Sequence, residues 1–449
     1  MPPSSPRLTS FSAALALVAG SMIGTGVYTT LGYQVAGLPS GFPVMLIWLL
    51  GGILSAFGAV NYAELTCALP RSGGEYHLLG RVFHPAAGFL SGWISITVGF
   101  PAPVALCSVF FAQYTMSATG WGADSPQMTL YALALGVIVL ATALHLVSVR
   151  ASGRAQTALT VVKILLILFL AVSGFLVQEP QNISFLPKPG DGSLMIKGTF
   201  AVGIMYVLYA YTGWNSACYI AGELKNPARD IPRALLWGTG LVTLLYVGLN
   251  AAFLYSTPIP ALAGKADVGY VAASHIFGEN GGKLIAGCIA AGLVSTISGM
   301  LWAGSRVAQM MGQDHPLLAP MARVTQTGVP WLALLVQTLI AVLFVMVLDA
   351  NQIMLCTQFS LQLVMVLTVF GVLYLRRKEP LLPRPYQAWG YPWTTVIFLV
   401  PMIYILAAIL QQNHRESMMG LGNAVLALAL HAIASPPGHS GKAAKPVNR

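Results

Sequence analysis

The chain has 449 residues, of which 56% are hydrophobic and only 8% charged, with a formal net charge of +10. A soluble protein carries roughly 25% charged residues, so this chain has too few to cover a soluble globule. A disordered chain is polar and poor in aromatics, and the glycines and prolines follow no collagen-like period, so a polytopic helical membrane protein remains.

A spanning helix needs about 20 mostly apolar residues. Twelve runs qualify: 10–37, 42–69, 84–119, 127–148, 155–178, 198–222, 233–257, 282–309, 330–348, 352–375, 391–411 and 417–434. The third is long enough to tilt strongly or to extend past the bilayer, and Pro101 and Pro103 within it read as kinks. A short segment, 1–9, precedes the first run, and a Pro/Gly/Lys-rich tail, 435–449, is expected to be disordered. With the N-terminus placed in the cytoplasm, 17 of the 23 Lys and Arg fall on inner segments and 5 on outer loops. That asymmetry puts both termini inside a cell membrane. Nucleic-acid binding is not expected, because the basic residues are scattered through short loops. The five cysteines lie within apolar runs and form no CxxC pair, and the eight histidines show no metal-ligand spacing. No cofactor or metal is expected.

Two spans are interrupted. The first contains Gly20-Ser21-Met22-Ile23-Gly24-Thr25-Gly26, and the sixth contains Tyr211-Thr212-Gly213-Trp214-Asn215. Glycine lowers the cost of leaving the helix, and Ser, Thr and Asn can satisfy the freed backbone groups. Either break alone could be close helix packing. Together they occupy matching places in two five-span blocks, 10–178 and 198–375, with 391–434 as two further spans. Five is odd, so the second block sits inverted. Interrupted helices at matching positions of inverted halves point to the binding site of a secondary transporter.

A broken helix presents free carbonyls on one side and free N–H groups on the other. Two such breaks, approached from opposite faces, offer donors to an anion and acceptors to a cation a few Å away. That suits the α-carboxylate and α-ammonium of an amino acid. Gly24 and Gly26 would let a carboxylate approach the backbone.

At these residues the chain resembles the amino acid–polyamine–organocation superfamily, closest to its L-type amino acid transporter branch and bacterial relatives. Further motifs carry the resemblance: Pro70-Arg71-Ser72-Gly73-Gly74-Glu75-Tyr76, Glu223-Leu224-Lys225-Asn226-Pro227, and Arg376-Arg377-Lys378-Glu379-Pro380. It implies a LeuT-like 5+5 inverted repeat of 12 transmembrane helices, all-α, with helices 1 and 6 broken. It implies a substrate site formed by Met22, Gly24, Thr25, Gly26, Tyr209, Ala210 and Thr212. Thr25 and Gly26 would take the carboxylate, and the carbonyls of Met22, Tyr209 and Thr212 the ammonium. Tyr209 would be the aromatic gate. The family usually has Phe at that position and Gly where Thr212 stands.

Lys163 lies about 12 Å into the fifth span by helix rise. Long cations near helix ends can snorkel to the interface. The resemblance implies instead that its ammonium stands where sodium-coupled relatives bind sodium, with Gly20 as carbonyl partner and Ser295, Thr296 or Ser298 as hydroxyl partners. Glu64 and Glu223 are read as helix-end partners of the basic inner loops. No other carboxylate is placed inside the membrane, which argues for neutral substrates. The loop between the third and fourth spans has no Cys, so no disulfide-linked heavy chain is expected. The expected activity is sodium-independent exchange of neutral amino acids, with a proton-coupled, cationic amino acid or polyamine carrier as the alternative.

Overall fold

The computed structural model describes residues 10–147 and 153–434, so the expected N-terminal segment 1–9 and tail 435–449 lie outside the described residues. The first span is two helices, α1 (Phe11–Met22) and α2 (Gly26–Gly37). α3 (Gly41–Ala68) follows, then α4 (Gly74–Val82), a short amphipathic helix between spans. The third span comprises α5 (Pro85–Ile94), a π-helical turn (Ser95–Gly99) and α6 (Pro101–Thr119). Next come α7 (Pro126–Val147), α8 (Gly153–Phe175) and the short α9 (Asp191–Ile196). The sixth span is α10 (Gly198–Tyr211), a turn, and a 3₁₀ stretch (Ser216–Glu223). The remainder is α11 (Pro227–Ser256), α12 (Ile259–Leu262), α13 (Val268–Asp314), α14 (Trp331–Val347), α15 (Ala350–Lys378), α16 (Trp393–Gln412) and α17 (His414–Ala434).

Among the described residues ten helices are long and apolar enough to cross a membrane, counting Phe11–Gly37 as one. The two expected spans outside this set have physical reasons to fall short. α10 has 14 residues before its break, about 21 Å by helix rise against a hydrocarbon core of about 30 Å. α14, with 17 residues, is at the short end of the spanning range.

The third span is neither simply tilted nor kinked within one helix. Pro101 has no N–H, and Phe100 N–H donates to the Ser95 carbonyl at 3.0 Å, one residue wider than an α-helical bond. Pro101 and Pro103 fall in the first turn of α6, where a missing N–H costs nothing. The prolines start a new helical segment rather than bend an old one.

Burial runs inside out relative to a soluble bundle. On α8, Val162, Leu165, Phe169 and Val172 are 60%, 57%, 52% and 57% exposed, a helical stripe facing outward. Lys163, Ile167 and Leu170 face inward. An apolar outer face with a cation within is stable when the surrounding solvent is lipid. The protein is a multi-pass membrane protein.

One ion-pair cluster ties the segment after α15 to the rest. Glu64, near the end of α3 and 2% exposed on its side chain, accepts from Arg376 Nε at 2.8 Å and Nη2 at 2.6 Å. It also accepts from the Ala388 N–H at 2.7 Å, with Arg384 Nε at 3.4 Å. Glu64 therefore meets its expected basic partners. Glu223 does not: it is exposed and forms no ion pair with a described residue. Removing the charge of a buried, multiply bonded partner costs about 3–5 kcal/mol, whereas an exposed pair contributes about 0–1 kcal/mol. Glu64→Gln should therefore lower the detergent melting temperature clearly. Arg81→Gln, which removes the exposed pair to Glu379, should barely move it. Thermal unfolding of both variants measures the contrast, and equal effects would contradict it.

Candidate functional site

α1 stops in mid-bundle because Ile23 leaves the helix at φ −75°, ψ 90°. Helical carbonyls stranded there need donors. Tyr246, from α11, donates its Oη to the Met22 carbonyl at 2.7 Å. Lys163 Nζ donates to the Ile23 carbonyl at 3.3 Å and to Thr296 Oγ1 at 2.7 Å. The Lys163 residue is 6% exposed and has no carboxylate partner among the described residues. Its charge is met by the partly negative end of α1 and one hydroxyl.

The carbonyl partner is thus Ile23, not Gly20 as expected. α1 and α8 run side by side in register. Thr160 fills the space where a Gly20 Cβ would stand, and Lys163 reaches one turn further, to Ile23. Ser295 is not the hydroxyl partner either. Its Oγ is buried without one, and Ser298 Oγ bonds His145 Nε2 at 2.8 Å. Thr296 shares a helix face with Gly292, which lies against the Lys163 stem, and Ser295 is turned about 100° away.

The second break meets the first directly. Thr212 turns out of α10 at φ −53°, ψ 140°, and Gly213 follows at φ 105°. A Cβ on Gly213 would lie 2.7 Å from the Ser21 carbonyl oxygen. The left-handed backbone and this close approach both require glycine. The Thr212 hydroxyl donates to its own helix, at the Leu208 carbonyl, at 3.1 Å.

Between the breaks, Tyr209 and Thr25 are joined by a hydroxyl–hydroxyl bond of 3.2 Å. A Phe at position 209 could not make it. Cys107, from α6, lies beside both Thr25 and Lys163. Of the three carbonyls expected to receive an ammonium, Met22 already accepts from Tyr246 and Tyr209 from the Thr212 N–H at 3.0 Å. No hydrogen bond from a described residue reaches the Thr212 carbonyl.

Packing constrains the two expected glycines differently. A Gly24 Cβ would face Thr296 Cγ2 at 3.7 Å, an ordinary contact. A Gly26 Cβ would collide with the Cα and Cβ of Ala210. Gly26 and Ala210 are thus where α2 and α10 press together. The absent side chain serves helix packing there, a constraint separate from any use of the Gly26 N–H.

A carboxyl missed by the sequence pattern stands beside the second break. Glu75, on α4, is 4% exposed and accepts from Asn215 Nδ2. Tyr62 from α3 and Tyr219 from the 3₁₀ stretch face the same carboxyl, with the Cys218 thiol beside it. Burial pushes its pKa above the ordinary carboxylate value. Glu75 lies on α4, between spans, so it is a buried carboxyl beside the second break and not one within an apolar span. The available signal was the Gly73-Gly74 pair: both adopt positive φ, 124° and 54°, which folds α4 back under the sixth span. Tyr76 on α4 also donates to Asp314 at the end of α13, at 2.7 Å.

The comparisons agree with this architecture. A model of the amino acid permease family matches residues 10–428. The chain belongs to the amino acid permease family. It is 27% identical over 404 residues to b(0,+)-type amino acid transporter 1 of Mus musculus, covering 89% of this chain and 82% of that protein. It is 27% identical over 403 residues to the serine/threonine exchanger SteT of Bacillus subtilis (strain 168), covering 88% and 90%. Large neutral amino acids transporter small subunit 2 of Mus musculus is 28% identical over 403 residues, covering 88% and 73%.

The Gly26 geometry gives a test. Gly26→Val should abolish amino acid binding by driving α2 from α10. If packing is the cause, Gly26→Ala should be partly rescued by Ala210→Gly, since that removes one of the two colliding atoms. Equilibrium binding measures it, and no rescue would contradict the packing role.

Proposed function

We propose that this permease is a sodium-independent exchanger of neutral L-amino acids in the cell membrane. The observation that carries the reading is the abutment of two broken helices, Gly213 against Ser21, with Lys163 fixed on the carbonyl end of α1. The substrate carboxylate would take the free N–H groups at the start of α2, at Thr25 and Gly26. Its ammonium would take the Thr212 carbonyl, with those of Met22 and Tyr209 close by. Tyr209 would cover the substrate, and its bond to Thr25 would break as substrate enters. The serine/threonine exchanger and the neutral amino acid transporter among the relatives support this substrate class.

Alternating access would move the blocks 10–178 and 198–375 against each other, in a 12-helix LeuT-like arrangement with both termini cytoplasmic. Lys163 would replace a bound sodium ion. A cation on a covalent stem cannot leave with substrate, so a sodium gradient has nothing to couple to, and exchange between the two pools remains. The protein would work without a disulfide-linked heavy chain.

Counterflow of labelled amino acids in proteoliposomes tests this. Exchange should be equal with and without sodium. Lys163→Ala should lose at least about tenfold in rate while still purifying as a folded protein, since two stranded groups at about 1–3 kcal/mol each would be unsatisfied. Normal exchange by that variant would end the sodium-replacement reading.

Glu75 favours a second reading, proton coupling. Burial in the closed packing raises its pKa, and opening α4 to water would lower it again and release a proton. Acid therefore stabilises the closed packing and alkali weakens it. Wild-type exchange should vary with pH, and Glu75→Gln, a neutral isostere, should flatten the profile while binding persists. Proton influx stoichiometric with substrate, lost in Glu75→Gln, would replace exchange with proton coupling.

A further inference from the structure

A cavity of about 560 Å³ lies at the start of α11, away from the broken helices. Arg229, Arg233, Trp237 and Gly240 line it from α11, and Tyr386 closes it from the segment between α15 and α16. The first three recur every four residues, so they share one face of the helix. Arg229 and Arg233 are exposed, and neither forms an ion pair with a described residue. The nearest carboxyl in sequence, Asp230, is turned to the buried side of the helix.

Below the arginines the same face becomes apolar. Trp237 is 70% exposed, and Leu241 and Leu244 beyond it are 38% and 72% exposed. A Cβ on Gly240 would meet nothing within 4 Å, so the groove stays open there. Gly240 lies about 16 Å along the helix from Arg229 by helix rise, within reach of acyl chains. At the upper end the Tyr386 Oη is buried and without a hydrogen-bond partner among the described residues.

We propose that this groove is a binding site for one anionic phospholipid. Arg229 and Arg233 hold the phosphate, through the fork geometry that guanidinium groups offer to phosphate oxygens. The side chain of Tyr386 walls the headgroup end of the groove. Trp237 sits at the interface level, where indole is favoured, and an acyl chain runs past Gly240 along Leu241 and Leu244. Among the described residues no carboxylate lines the groove to meet the amine of a zwitterionic headgroup, so net negative lipids are preferred. Two arginines alone would suit a soluble phosphate too. The apolar groove below them selects a molecule with a tail. Because α11 also carries Tyr246, which bonds the Met22 carbonyl, the lipid braces a helix that holds the first break.

The test uses delipidated, purified protein. Phosphatidylglycerol should raise its melting temperature, where phosphatidylcholine and inorganic phosphate at equal concentration do not. The Arg229→Gln/Arg233→Gln double variant should need about tenfold more phosphatidylglycerol for the same rise, as expected for loss of a charge-assisted pair. Gly240→Trp should remove the effect with both charges intact. In the wild type, phosphatidylglycerol should stay bound through exchange into phosphatidylcholine detergent micelles, as read by mass spectrometry of the intact protein. That measurement holds even where a variant folds poorly. Equal stabilisation by both lipids, or free exchange of the retained lipid, would reduce the groove to ordinary solvation by the bilayer. A matching rise with inorganic phosphate would make it a soluble anion site. Either result overturns the proposal.

Discussion

A helix that stops in the middle of a membrane strands carbonyls where no water can satisfy them, and each unpaired group costs several kcal/mol. Much of this structure follows from how the end of α1 is satisfied. Tyr246 reaches in from α11 and Lys163 from α8, and Thr296 of α13 holds the lysine in place. Three helices distant in sequence are thereby pinned to one break. The second break needs less help. Thr212 back-bonds to Leu208, and Gly213 lets the turn sit against Ser21. The two interruptions are stable because they share one polar pocket inside an apolar bundle.

That arrangement separates two buried charge-bearing groups. Lys163 stands against the carbonyl end of α1, and Glu75 against Asn215 on the far side of the second break. They form no ion pair with each other. A direct pair would lock the two breaks together. Kept apart, each is held by its own partners, Lys163 by Ile23 and Thr296 and Glu75 by Asn215. The α4 helix, which carries Glu75, is bonded by Tyr76 to the end of α13 and by Arg81 to the residue after α15. The second break is thus tied through α4 to the ends of α13 and α15.

The spans and the breaks were legible because their signals are local. Apolar runs set the helices, and Gly-rich interruptions inside them set the breaks. Lys163 stood out as a charge within an apolar run, and Thr296 was among its expected partners. The errors came from rotation and packing, which a sequence carries weakly. Gly20 and Ile23 differ by one turn, and only the register of α1 against α8 selects Ile23. Ser295 and Thr296 are neighbours pointing about 100° apart. Gly26 reads as access for a carboxylate or as room for a neighbouring helix, and the sequence does not show that Ala210 fills that room. Glu75 was hidden because a carboxylate between spans reads as a loop residue until two positive-φ glycines turn it inward.

The same logic explains why tyrosines are concentrated around the breaks. Tyr211 and Tyr246 have ring centroids 5.2 Å apart with planes tilted by 57°, and Trp48 packs on both. Tyr211 donates to the Trp48 carbonyl at 3.1 Å and Tyr246 to that of Met22. Each ring fills apolar space as phenylalanine would, yet its hydroxyl caps a backbone carbonyl without adding charge. A lysine or arginine in each of these places would bring an ion to desolvate, and a serine would leave a void. Tyr209 extends the set, with its hydroxyl on Thr25 rather than on backbone. Among these aromatic donors it is the one bonded to a side chain that can rotate away without stranding a carbonyl. The neighbouring tyrosines hold the pocket's walls, and Tyr209 is the member chemically free to leave its partner.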